Sequence, residues 1–263
     1  MSRNLRVVAT MIRLRLARSA AEPASFWSAL LVDTSVFGVQ ALVFALVYGA
    51  VDSVNGWERW QAIFFVGSFM LVDGAWMCLY FFGVLGIPEA IRTGRLELFL
   101  AKPADPLLCL SFERTDPGSA FILLPALALV VGSARAGGLE PGLGGILAYA
   151  MALVLMLILM HSLMVLARSA AFWLGRLGAL QEAENALVEF GFRLPGKALR
   201  GPWRLLFRGL LPYGLVGSFP AEVFFAEAGA GAWALALALT LGFAALSRLV
   251  WEAGLRRYTG TGS

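Results

Sequence analysis

Five stretches of this chain are long and apolar enough to cross about 30 Å of hydrocarbon as helices: Phe26 to Ala50, Ala62 to Gly86, Ser119 to Ala136, Leu143 to Ala167 and Ala232 to Trp251. No feature constrains the fold more. Backbone amides inside a bilayer have no water to pair with, so each such stretch must satisfy them within itself as a helix. The expected class is therefore all-α integral membrane. The third window carries Pro125, which neighbouring helices can accommodate as a kink. Only 14% of the 263 residues are charged and 59% are hydrophobic, with a mean hydropathy of +0.77; a soluble domain carries about 25% charged residues. The short polar connections leave no room for a soluble domain. Cys78 and Cys109 lie in or beside apolar segments, so they form no disulfide framework.

Charge orients the segments, because short translocated loops are poor in Lys and Arg. Arg3, Arg6, Arg13, Arg15 and Arg18 precede the first window, and Arg92, Arg95, Lys102 and Arg114 follow the second. The outer connections carry only Arg59 and Arg135. Both the N-terminus and the loop 87–106 are thus expected in the cytosol. The basic tail 253–263, continuing from Arg248, belongs on the same side, which requires an even number of spans, most simply six. Leu5, Val8, Ile12 and Leu16 recur at helical spacing among the arginines of residues 1–25, as in an elbow helix lying in the headgroup plane. The membrane domain is then 26–252.

Two segments compete for the remaining crossing. Leu205 to Phe225 leaves six basic residues in the cytosol, as the basic-residue bias prefers. Leu177 to Leu194 has an apolar stripe, with Gln181, Glu182, Glu184, Asn185 and Glu189 elsewhere on the helix, and could cross only with a wet face. In the second case "PYGLVGSFP" would be a re-entrant or interfacial element outside.

The sequence holds no recognisable catalytic constellation. A phosphate-binding loop needs a glycine-rich turn closing on Gly-Lys-Ser or Gly-Lys-Thr, and the two lysines, Lys102 and Lys197, lack that context. The chain is therefore not expected to hydrolyse ATP by itself. The single histidine, His161, has no metal-ligand partners at useful spacing and reads as a polar contact between helices. Asp33 and Asp73 lie inside the first two windows, where an acid costs about 2.5 to 3.5 kcal/mol. They read either as a proton-handling pair, as in a proton-coupled secondary transporter, or as hydrogen-bonded struts between helices.

The cytosolic stretch "IPEAIRTGRLELFLAKPADP" mixes Arg92, Arg95 and Glu97 with Leu96, Leu98, Phe99 and Leu100. Pro88 and Glu89 suit a helix start, and Gly94 and Pro103 limit its length. It suits either a groove on another protein or the lipid surface.

At these residues the sequence resembles permeases of the type-2 ABC exporters. Glu89, "RTGRLEL" and Pro103 match the loop after the second span in that family. "IRTGRLELFLAKPADPL", the "FW" at Phe172 and Trp173, "VEFGFRLP", "LPYGLVGSFPAE" and the terminal "WEAGLRRYTGTGS" resemble its ABC-2-like membrane branch. The resemblance covers nearly the whole chain, with Arg95 where relatives often have Thr. It implies six spans, an elbow helix, a coupling helix, external re-entrant helices before the last span, and Leu177 to Leu194 as span five. It also implies a non-catalytic transport subunit that binds no cofactor, two ATPase subunits that hold ATP and Mg, a second permease copy or paralogue, and a bacterial plasma membrane, with membrane lipid as the surroundings and no nucleic-acid partner. ATPase coupling would then fall to Glu89, Arg92, Gly94, Arg95, Leu96, Glu97, Leu98 and Phe99. A translocation path needs polar surface, for which Gln181, Glu182, Asn185 and Glu189 are expected, with Asp33 and Asp73 as a second lining.

Overall fold

The computed structural model describes residues 57–174, 178–193 and 201–258 continuously, with isolated positions before residue 57. The elbow segment, the first apolar window and Asp33 lie outside the described residues, apart from single helical positions such as Leu31 and Ser35.

Four described helices are long and apolar enough to span a bilayer: α1 (Arg59–Arg92), α4 (Pro117–Ala136), α5 (Leu143–Leu174) and α9 (Ala230–Arg257). They match windows two to five of the sequence. Between them lie α2 (Glu97–Leu100), α3 (Pro106–Ser111), α6 (Gly178–Arg193), α7 (Pro202–Leu205, continued by a π-helical turn Leu206–Leu210) and α8 (Tyr213–Phe224). The protein is an all-helical membrane protein. The one departure among the described residues is a ribbon of two-residue strands, β1 (Ser53–Val54) and β2 (Trp57–Glu58).

Helix α1 is the central post. Of its most apolar window 61% is buried within the protein, against 17% for α9. It packs on α4, α8 and α5, and α5 in turn carries α9. On the outer faces the pattern inverts: Leu147, Met151, Val154 and Ile158 of α5 are exposed at helical spacing, as are Leu237 and Leu241 of α9. Such apolar stripes belong against lipid, where tight packing and small residues, not a hydrophobic drive, hold helices together.

Neither candidate for the remaining crossing is among the four long helices. Helix α6 is 16 residues and α8 is 12. Helix α8 is nonetheless the most enclosed element: every residue from Tyr213 to Glu222 is buried, against α1, α5 and α6. The helical path breaks at Leu211 (φ −126, ψ 76) and Pro212, and the Arg208–Glu222 ion pair joins the two pieces, so α7 and α8 form a splayed helical hairpin. Its tip lies against α6, where a Cβ on Gly191 would stand 2.7 Å from the Tyr213 carbonyl oxygen; only glycine allows that approach. Its far end, Phe224 and Phe225, joins Trp57, Trp60, Phe64 and Tyr149 in an aromatic cluster beside the start of α1.

Candidate functional site

At the opposite end of α1 the chain forms a small platform. The sequence reading expects a short cytosolic helix that starts at Pro88 and Glu89 and is limited by Gly94 and Pro103. Instead α1 runs on through Arg92, the backbone turns at Gly94 (φ 75), and α2 adds a single turn. A positive φ is cheap for glycine alone, which explains the break in the middle of the motif. The amide of Leu96 then donates back to the Ala90 carbonyl at 3.0 Å, folding the two pieces together.

The eight expected coupling residues divide by face. Leu96 (0% exposed) and Phe99 (3%) point inward and anchor the platform in the main core. Glu89, Arg92, Glu97 and Leu98 point outward, and Gly94 and Arg95 are half-buried. Arg92 and Glu89 form an exposed ion pair at 2.8 Å, Arg95 reaches Glu113 at 3.3 Å, and Leu98 and Leu100 stand in solvent between the charges. Lys102 lies 4.4 Å over the Phe99 ring.

The platform is braced from behind. Asp105 caps α3 through the Leu108 amide at 3.0 Å and accepts from Arg248 of α9 at 2.5 Å. Gly83 of α1 meets the Ser111 carbonyl so closely that no Cβ would fit. Burial pushes the Cys109 thiol up, so it stays protonated and unreactive at neutral pH, with Lys102 opposing and Asp105 adding to the shift. Burial and then the Glu97 carboxylate push up the Tyr258 phenol just beyond α9.

His161 is the inter-helix contact the sequence reading expects. Its Nε2 lies 2.9 Å from the Ser111 Oγ, and the Tyr80 ring meets it edge-on. Tyr80 sits in a π-helical turn of α1 (Met77–Phe81) and donates to the Leu157 carbonyl at 2.7 Å. Asp73 is half-buried and accepts from the Trp76 indole at 2.7 Å.

The polar face of α6 differs from expectation. Glu182, Asn185 and Glu189 are exposed and Gln181 is half-buried, whereas Glu184 is 4% exposed. Glu184 forms an ion pair with Arg168, which is 2% exposed near the end of α5, and the Tyr213 hydroxyl at the hairpin tip lies 3.5 Å from the same carboxylate. Three elements thus meet at one buried ion pair. A second pair, Arg208 to Glu222 at 2.6 Å, ties the two arms of the hairpin. Sequence reasoning missed both. The signal for the first was present: Glu184 falls on the same helical face as Leu180, Leu187 and Gly191, and Arg168 on that of Met164 and Val165, so each charge sits inside an apolar stripe.

Among the described residues no group of three His, Cys, Asp or Glu side chains is placed to hold a metal. The described residues thus form a multi-pass helical domain with a charged platform at one end and paired charges in its interior. This chain belongs to the ABC-2 transporter membrane family: the family model described as ABC-2 family transporter protein matches residues 35–262. It is a permease component of an ABC transporter, a class that works with ABC ATPase subunits. Neither the curated proteins nor the solved structures contain one that matches it.

Proposed function

We propose that the chain is the membrane-spanning subunit of an ATP-driven exporter of the bacterial plasma membrane, working as one of two permeases on two ATPase subunits. ATP and Mg are held by those ATPases. The observation that carries the reading is the platform: a surface of mixed charge with two exposed leucines, anchored by Leu96 and Phe99 and continuous with the central helix. Such a surface fits a groove on a soluble partner, with charges for orientation and leucines for buried area. Glu89, Arg92, Glu97 and Leu98 make the contacts, while Leu96, Phe99, Gly94 and Arg95 hold the surface in shape.

In this reading the platform end is cytosolic, in line with the basic residues around it, and the aromatic end faces outward. Helix α6 is the fifth crossing and the α7–α8 hairpin re-enters from outside, with the unmatched first window as the first of six spans. Gln181, Glu182, Asn185 and Glu189 then face the axis between two permeases, with Asp33 and Asp73 as a second lining. A cysteine replacing the exposed Gly201 should react with an impermeant thiol reagent from outside only; labelling from the cytosol alone overturns this arrangement.

The deciding experiment uses the full complex. A Glu89→Arg, Arg92→Glu variant keeps the internal pair but reverses the field it presents. It should insert normally and lose most of the transport-coupled ATP hydrolysis. Wild-type coupling in this variant, or transport by the chain alone under a proton gradient, would overturn the reading; the second result would restore the proton-coupled carrier.

A further inference from the structure

The splayed arms of the α7–α8 hairpin and the start of α9 enclose a cleft of about 560 Å³ at the end of the molecule away from the platform. Its lining is unusual for a membrane domain. Arg204 and Arg208 come from the first arm, Glu222 from the second, Glu227 from the connection to α9, and Leu205 and Leu235 form its apolar rim. A second cavity of about 690 Å³ lies along α7, lined by Pro202, Trp203, Leu206 and Leu210, without a charged side chain. The two cavities share Leu205 and Gly209. A charged cleft therefore opens directly into an apolar groove, and the rim residues Leu205 and Leu210 are exposed to the surroundings (75% and 69%).

The charges within the cleft are not self-sufficient. One Glu222 carboxylate oxygen accepts from Arg208, while the other accepts no hydrogen bond within the protein although the residue is only 6% exposed. A buried carboxylate with an unfilled acceptor calls for a donor. Arg204, exposed at the mouth of the cleft, offers a cation to an anionic group. Cation and acceptor across one cleft, with an apolar groove attached, match a zwitterion bearing a tail.

We propose that this cleft binds the headgroup of an aminophospholipid of the phosphatidylethanolamine type, its phosphate at Arg204, its primary ammonium at Glu222, and an acyl chain in the groove along α7. A primary ammonium donates hydrogen bonds to a carboxylate; the quaternary ammonium of phosphatidylcholine cannot, and phosphatidylglycerol offers no cation. The chemistry thus separates three common headgroups. The assignment rests on the residues of the cleft and holds whether or not an ATPase is bound.

The test places the full-length chain in phosphatidylcholine nanodiscs with phosphatidylethanolamine or phosphatidylglycerol added, and reads both the lipid retained after detergent extraction and the thermal midpoint. Phosphatidylethanolamine should be retained about tenfold over the others, a preference of about 1.4 kcal/mol, and should raise the midpoint. Arg204→Ala, at an exposed position that does not threaten folding, should abolish the preference, and Glu222→Gln should reduce discrimination against phosphatidylcholine. Equal retention of the three lipids, or an undiminished preference in Arg204→Ala, overturns the proposal. So does displacement of all retained lipid by soluble glycerophosphoethanolamine, which would make the ligand a soluble amine rather than a membrane lipid.

Discussion

Two arginine–glutamate pairs in this molecule have the same chemistry and opposite surroundings. Arg92 and Glu89 pair one helical turn apart on the platform, with side chains 65% and 54% exposed. Arg168 and Glu184 come from different helices and pair at 2% and 5% exposure. In water the exposed pair gains little, because solvent screens it and two long side chains must be ordered. The buried pair has lost its hydration, so each charge depends on the other. The first pair is a surface feature free to serve recognition. The second is a condition of the fold, joining α5, α6 and the hairpin tip.

The contrast makes a ranked set of predictions. Glu184→Ala should have the largest effect, destabilising the protein by about 3 to 5 kcal/mol, because it strands a buried guanidinium. Unfolding in mixed micelles measures it, and the double variant Arg168→Met, Glu184→Leu should recover most of the loss. If the single variant costs less than about 1 kcal/mol, solvent reaches the pair and the comparison fails. Arg208→Ala, at 13% and 8% side-chain exposure for its pair, should cost about 1.5 to 3 kcal/mol in the same assay, as for a hydrogen bond to a charged group. Asp105→Ala removes both the cap of α3 and the bond to Arg248, whose side chain is 45% exposed; about 1 to 2 kcal/mol is expected. Arg92→Ala should change stability by less than about 0.5 kcal/mol yet reduce ATPase stimulation in the full complex. A stability loss there as large as that of Asp105→Ala would make the exposed pair a structural one.

What could be read from the sequence divides along the same line. The four long described helices follow from apolar length alone, and Gly94 announced the break in the platform. The outward side chains of the platform, Glu89, Arg92, Glu97 and Leu98, lie in the stretch that the sequence marks by charge interleaved with leucine. The inward turn of Leu96 and Phe99 was not, since it depends on how α2 folds back onto α1. On α6 the polar residues were counted as one wet face, but the helix buries a strip that includes Glu184. A charge inside an apolar stripe becomes interpretable only when its partner is known, and Arg168 lies on another helix. The hairpin was legible only as one of two alternatives: Leu205 to Phe225 is apolar enough to be a candidate crossing, whereas its division into two short helices and the enclosure of α8 depend on tertiary contacts.

The length of α1 has a mechanical consequence. Its 34 residues make a rod of about 50 Å at about 1.5 Å per residue, longer than the hydrocarbon it crosses by about 20 Å. Such a rod is a lever. With its far end held in the aromatic cluster of Trp60 and Phe64 as a fulcrum, a tilt of about 5° carries the platform roughly 4 Å sideways, by the length of the helix alone. On the proposed function, a partner bound at the platform would work at the long end of the arm, where modest force and large travel become small, forceful displacements beside the fulcrum.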